Sequence, residues 1–146
     1  MVYLKREREY GVELVEEIAD KVPEITFHIF GIGKLIQVGL YLIPHTSNEH
    51  KNIFYHGQVP SEEMDKMIRG YQCGLRTLDF DGCPHTITKG MLLGQWPISK
   101  IKYPYADSYE TKEELIKLLK NLKNKKKPNL KGREHWLSVV SNFPWQ

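Results

Sequence analysis

Asp81-Gly82-Cys83-Pro84-His85-Thr86 follows an apolar run and leads into a helical pattern. A helix opening there leaves the peptide N–H groups of Gly82 to Thr86 without intrahelical partners. Together with the helix dipole they suit a diphosphate. Gly82 lets the backbone come close to a ligand, and Asp81 offers a carboxylate to ligand hydroxyls. Lys5, Arg6 and Arg8 form a small basic cluster able to neutralise phosphate charge. His85 reads as a helix-start residue used through its backbone rather than its ring, and Cys83 as a spacer. His28, between Phe27 and Ile29, reads as a core or sheet histidine. His45, His50 and His56 share no metal-ligand spacing, so no metal is expected.

The elements that must position these residues alternate in type. Met1 to Leu4 reads as a strand and Lys5 to Tyr10 as a charged turn. From Tyr10, apolar Val12, Leu14, Val15, Ile18, Ala19 and Val22 recur at helical spacing until Pro23. Ile25 to Phe30 is a strand ended by Gly31-Ile32-Gly33. Lys34 to Ile43 is read as a short helix, although Val38, Tyr41 and Ile43 also suit a strand, and Pro44 to Lys51 as a polar loop. Asn52 to Gly57 is a third strand. Ser61 after Pro60 is the expected N-cap of a helix whose buried side is Met64, Met67, Ile68 and Tyr71.

Cys73 to Leu78 is a fourth strand, followed by a turn over Asp79 to Pro84. A helix from His85 or Thr86 to Leu93 ends at Gly94. Pro97 to Ile101 is a fifth strand, Thr111 to Lys123 a strong helix, and Lys125 to Lys131 a linker broken by Pro128. Glu134 to Val140 is a last short helix, with Trp136, Phe143 and Trp145 expected to fold back on the core. Strand–helix alternation implies βαβ units and a parallel sheet with helices on both faces. The expected class is thus α/β, a Rossmann-like sandwich that binds ligands at the carboxyl ends of its strands.

A chain of 146 residues holds about one domain, since domains run ~100–200 residues, so residues 1–146 are read as a single domain. With 40% apolar and 27% charged residues it has enough material for a core. No stretch reaches the ~18 apolar residues of a membrane span. Charge follows the N-terminal apolar run, the reverse of a secretory signal. Cys73 and Cys83 lack CxxC spacing, which predicts neither disulfide nor zinc and makes a reducing cytoplasm the expected location. The net charge of +3 is too weak for a nucleic-acid partner. Lysines concentrate toward Lys120–Lys131, where peripheral contact with the inner face of a membrane is the minority expectation.

From Asp81 through Lys89-Gly90 to Gly94-Gln95-Trp96-Pro97-Ile98, the chain resembles the donor-site segment of retaining GT-B glycosyltransferases (glycosyl transferases group 1, family 4-like). Asp81 falls on the first acid of that pattern, Gly82 on its glycine, and Gly94 and Pro97 on the later glycine and proline. Tyr10-Gly11-Val12-Glu13-Leu14 is similar to the start of the family's first helix. Ile29-Phe30-Gly31-Ile32-Gly33 is similar to the turn after its second strand. Ile53 to Val59, with Met64 beyond, is similar to its third strand and the following helix, and Glu134-His135-Trp136 to its last helix. Essentially the whole chain is covered, as the C-terminal, donor-binding half of such an enzyme.

The resemblance implies one half of a GT-B fold and a nucleotide-diphosphate sugar as substrate, with no cofactor. Its donor-binding positions are Lys5, Arg6, Gly31 and Gly33 at the first two strand ends. Gln58, Val59 and Met64 fall at the base, and Asp81, Gly82, Cys83, Pro84, His85, Thr86 and Lys89 at the diphosphate and sugar. Lys89 stands where the pattern has its second acid, and Tyr10 where it has a phosphate-binding lysine. No catalytic residue is assigned, because the missing N-terminal half binds the acceptor. An acceptor-holding partner chain or domain is therefore implied, for transfer of hexosyl type. The alternative is a non-catalytic nucleotide-sugar-binding or interaction subunit of the same fold. A generic nucleotide- or flavin-binding Rossmann enzyme ranks below both, because Gly31-Ile32-Gly33 lacks a third glycine.

Overall fold

The structure, a computed structural model, describes residues 2–4, 11–31, 35–38, 40–44, 50–79 and 85–142. The architecture is mixed α/β with small parallel sheets and helices. The chain divides into two compact units, Met1–Gly70 and Tyr71–Gln146.

In the first unit, β1 (Val2–Leu4), β2 (Phe27–Gly31) and β5 (Ile53–Gly57) pair in parallel with β2 in the middle. Helix α1 (Val12–Ala19) makes the crossover from β1 to β2. Its Val12, Val15, Ile18 and Ala19 are buried at the 3–4 spacing of an amphipathic helix. Gly11 precedes it at φ 78, a left-handed turn that favours glycine. The corner between α1 and β2 is held by one side chain from the start of β5. Asn52 Nδ2 donates to the carbonyls of Ala19 (2.9 Å), Val22 (3.2 Å) and Ile25 (2.9 Å).

Two expectations fail here. The helix expected over Lys34 to Ile43 is an antiparallel hairpin of β3 (Leu35–Val38) and β4 (Tyr41–Pro44). Val38 pairs with Tyr41, and Leu40 at the tip is 97% exposed. β-Branched and aromatic residues suit strands, and the glycine at 39 disfavours a helix by about 1 kcal/mol. Ser61 is the first residue of α2 (Ser61–Ile68) rather than its cap. The N-cap is Pro60, whose carbonyl accepts the first helical hydrogen bond from Met64 N–H at 2.9 Å.

In the second unit, β6 (Leu75–Arg76), β7 (Ile98–Ser99) and β8 (Asp107–Ser108) pair in parallel, with β7 in the middle. The first two are shorter than the strands expected over Cys73 to Leu78 and Pro97 to Ile101. Hydrogen bonds from Trp96 N–H to Gln72 O and from Lys100 N–H to Arg76 O continue their pairing at either end. Helix α3 (His85–Leu92) connects them and stops at Gly94, φ 72, as expected.

β8 is an addition to the expected strands. A parallel pair usually needs a crossover of about a dozen residues or more. Here Lys100 to Ala106 suffices without a helix, and Tyr105 turns the chain at φ 64. Such a conformation costs a bulky residue on the order of 1–3 kcal/mol.

Helix α4 (Lys112–Asn121) opens with a capping box. The Thr111 hydroxyl accepts from Glu114 N–H, and the Glu114 carboxylate accepts from Thr111 N–H. A 3₁₀ turn (Leu122–Asn124) follows. The last helix, α5 (Leu130–Ser141), begins before the expected Glu134 and takes in Lys131, so the lysine-rich linker is shorter than expected. Its start is set by Asn129, whose buried side chain accepts from Gly132 N–H at 3.0 Å. Gly132 is where α5 meets α3: a Cβ there would lie 2.6 Å from Met91 Sδ and 2.8 Å from the Asn129 amide. Leu75, Ile87, Met91, Ile98, Leu115 and Leu119 fill this unit's interior.

Candidate functional site

The carboxyl ends of β2 and β5 lie side by side, because Phe30 pairs with Gly57 in the parallel register. Both strands end on left-handed glycines, Gly31 at φ 107 and Gly57 at φ 64. Only a residue without Cβ turns so sharply there at little cost. Gln58, exposed, and Val59, half-buried, leave this edge toward α2, where Met64 is half-buried in the first turn. Of the expected donor positions in this unit, Gly31 ends β2, Gln58 and Val59 directly follow β5, and Met64 lies in α2. Lys5, Arg6, Arg8 and Gly33 lie outside the described residues.

The same edge holds a feature that reading each histidine singly misses. Strand alternation puts His28 and Phe30 of β2 and Phe54 and His56 of β5 on one face. His28 Nδ1 and His56 Nε2 are 2.9 Å apart, with ring planes within 16° and centroids at 5.2 Å. In that near-coplanar geometry one ring donates an N–H to the other. Phe54 stacks on His28 at 5.5 Å, and His56 on Phe30 at 4.6 Å. Burial lowers both imidazole pKa values from the usual 6.5, and for His28 the neighbouring His56 adds to the effect. The signal was present in the sequence as two i, i+2 His/aromatic pairs on adjacent strands. On the opposite face, Tyr55 OH donates to Glu16 of α1 at 2.6 Å.

In the second unit, α3 begins at His85, so a helix start does follow the Asp81–Pro84 segment. Asp81, Gly82, Cys83 and Pro84 lie outside the described residues. His85 is exposed and Lys89 half-buried on α3. Thr86 is 4% exposed and packs against Gly74: a Cβ at Gly74 would sit 3.0 Å from Thr86 Cγ2. Its side chain therefore seats α3 on the strand behind it. Phe143 and Trp145 lie outside the described residues. Trp136 is half-buried rather than part of the core; its Nε1–H donates to Pro104 O at 3.4 Å and its ring tilts against Tyr103 at 6.5 Å between centroids.

At the carboxyl ends of this unit's strands, Asp79 pairs with Lys100, and Tyr109 is buried beyond β8. Burial, reinforced by the negative charge of Asp79, pushes the Tyr109 phenol up to about 12. Its hydroxyl has no hydrogen-bond partner among the described residues. The Cys73 thiol is pushed up to about 11 by burial, which keeps it protonated and unreactive.

Among the described residues there is no group of three or more His, Cys, Asp or Glu placed to hold a metal. None of the described helices is long and apolar enough to cross a membrane. Compared with known proteins, the chain matches no family model, no curated protein and no solved structure.

Proposed function

We propose that this chain is a Rossmann-like donor-binding half of a GT-B glycosyltransferase, which holds a nucleotide-diphosphate sugar for transfer to an acceptor presented by a partner chain or domain. The observation that carries the reading is the placement of the motif glycines. Gly31 and Gly57 end adjacent parallel strands in left-handed turns, and Gly94 ends a helix that starts directly after Asp81–Pro84. These are the points where such a motif needs backbone without a side chain.

In this proposal the base lies against Gln58, Val59 and Met64, largely through backbone and apolar contacts. The start of α3 offers N–H groups suited to a diphosphate, so that charge developing on the leaving group meets the positive end of the helix dipole without a metal. Asp81 accepts hydrogen bonds from the sugar. Isothermal titration against uridine, guanosine and adenosine diphosphates tests the reading. Binding of one is expected, and no heat with any of them sinks it.

A second reading is favoured by Lys89. This half-buried residue of α3 puts an ammonium where the motif carries an acid for the ribose. On that reading the chain binds the nucleotide sugar, or a partner, without transferring sugar. Lys89→Glu separates the two: recovered transfer with an acceptor partner supports an enzyme altered at one position. Exposed Lys120, Lys123, Lys126, Lys127 and Lys131 also support peripheral contact with an anionic membrane. Co-sedimentation with phosphatidylserine vesicles, lost at high salt, is the expected result.

A further inference from the structure

The second unit holds a cavity of about 440 Å³ at the amino ends of β7 and β8, the opposite end of these strands from Asp79 and Tyr109. Its size falls in the range of ~300–1,000 Å³ typical of small-ligand sites. Trp96, Tyr105, Asp107, Pro128, Leu130 and Lys131 line it.

The walls are fixed. Trp96 Nε1–H donates to Lys127 O at 2.9 Å, and the Lys125 ammonium sits 4.1 Å from its ring centroid. Tyr105 is held in its left-handed turn by Asn129, whose Nδ2 donates to Tyr105 O at 3.1 Å, while Asn129 N–H bonds Gly94 O at 2.8 Å. The Tyr105 ring, 51% exposed, rests on His135 at 5.3 Å between centroids. A large aromatic residue kept at a costly φ on an open cavity points to a role for its ring.

We propose that this cavity binds a neutral pyranose ring. Its chemistry selects that class. Trp96 and Tyr105 offer aromatic surface to the C–H face of a sugar. Asp107 already pairs with Lys125 at 3.5 Å, so a cationic ligand finds its carboxylate neutralised. A free phosphate meets the Asp107 carboxylate, and the Lys125 ammonium that could attract it is already paired with that carboxylate. A sugar hydroxyl both donates and accepts, and so satisfies the Asp107 carboxylate and the Lys131 ammonium on one edge of the ring. The site is independent of the donor reading, and loss of nucleotide binding leaves it standing.

The test is a titration of the full ¹⁵N-labelled chain with methyl glucoside, methyl galactoside and N-acetylglucosamine, following the Trp96 indole Nε1–H resonance by NMR. Trp96→Phe assigns that resonance. At least one saccharide is expected to shift it saturably. Tyr105→Ala and Asp107→Asn should each weaken binding about tenfold, as loss of one charged hydrogen bond or one stacked ring does. Lys131→Met, on the exposed rim, should weaken it a few-fold and serves if either of the other variants fails to fold. The proposal is overturned if no saccharide gives a saturable shift, if the folded variants bind unchanged, or if uridine diphosphate alone moves the resonance.

Discussion

In the first unit β2 and β5 run five residues each and carry Phe27, Ile29, Phe30 and Ile53 into the interior. In the second, β6, β7 and β8 run two residues each, and α3 and α4 supply Ile87, Met91, Leu115 and Leu119. A strand-built unit depends on what stands on its sheet faces, here aromatic and imidazole rings in a row. A helix-built unit depends on how closely helices approach, here Gly132 against Met91. The two should therefore fail for different reasons.

The hardest blow to that contrast comes from Gly132→Ala. A methyl at 2.6 Å from Met91 Sδ and 2.8 Å from the Asn129 cap has no room, and about 2–3 kcal/mol should be lost by urea unfolding. Hydrogen exchange should quicken in α3 and α5 and stay unchanged in β2 and β5. Equal loosening in both units would abolish the distinction. The counterpart in the strand-built unit is Asn52→Ala, which strips donors from three carbonyls. It should cost about 1–3 kcal/mol, with exchange quickening at Ile25 and Phe27 first.

A change in the other direction is expected from Tyr105→Gly. Relief of the left-handed strain should raise stability by about 1 kcal/mol, partly offset by the greater freedom of glycine in the unfolded chain. Differential unfolding should show the gain in the second unit, while saccharide binding weakens about tenfold, as it does for Tyr105→Ala.

The smallest effect sharpens the contrast through pH. The pKa values of His28 and His56 lie below 6.5 when folded, so below about pH 7 the unfolded chain binds more protons than the folded one. Stability should fall as pH drops through 6.5 and level off once the folded imidazoles are also protonated. His56→Phe should flatten that slope without altering exchange in α5. An unchanged slope would mean the ring row is not what makes the first unit pH-sensitive.

The helices were the most readable part of the sequence, because burial writes a 3–4 spacing into Val12, Val15 and Ile18 and into Leu115, Leu119 and Leu122. Gly94 was readable as a helix stop for its left-handed φ. The β3–β4 hairpin was not: its apolar residues crowd almost every position, so neither period stands out, and cross-strand pairing decides. β8 was hidden because Asp107 and Ser108 carry no strand pattern and pair only where the Tyr105 turn delivers them. At the candidate site, Gly31 and the step from Gly57 to Val59 could be read because glycines mark sharp strand ends. The His28–His56 contact needed the register between two strands far apart in sequence. Tyr105 and Asn129 escaped for a related reason: a costly φ and its clamp belong to tertiary structure, not to residue type.

Asn52 also makes its corner sensitive to the identity of a single atom. Three carbonyl oxygens, of Ala19, Val22 and Ile25, converge on one amide nitrogen. Hydrolysis of that amide to a carboxylate would swap a donor for an acceptor of nearly the same shape and set negative charge against all three oxygens. Exchange of one ammonia for one water at this side chain would thus act on the fold as an Asn-to-Asp mutation does, with a mass gain of only about one dalton to reveal it.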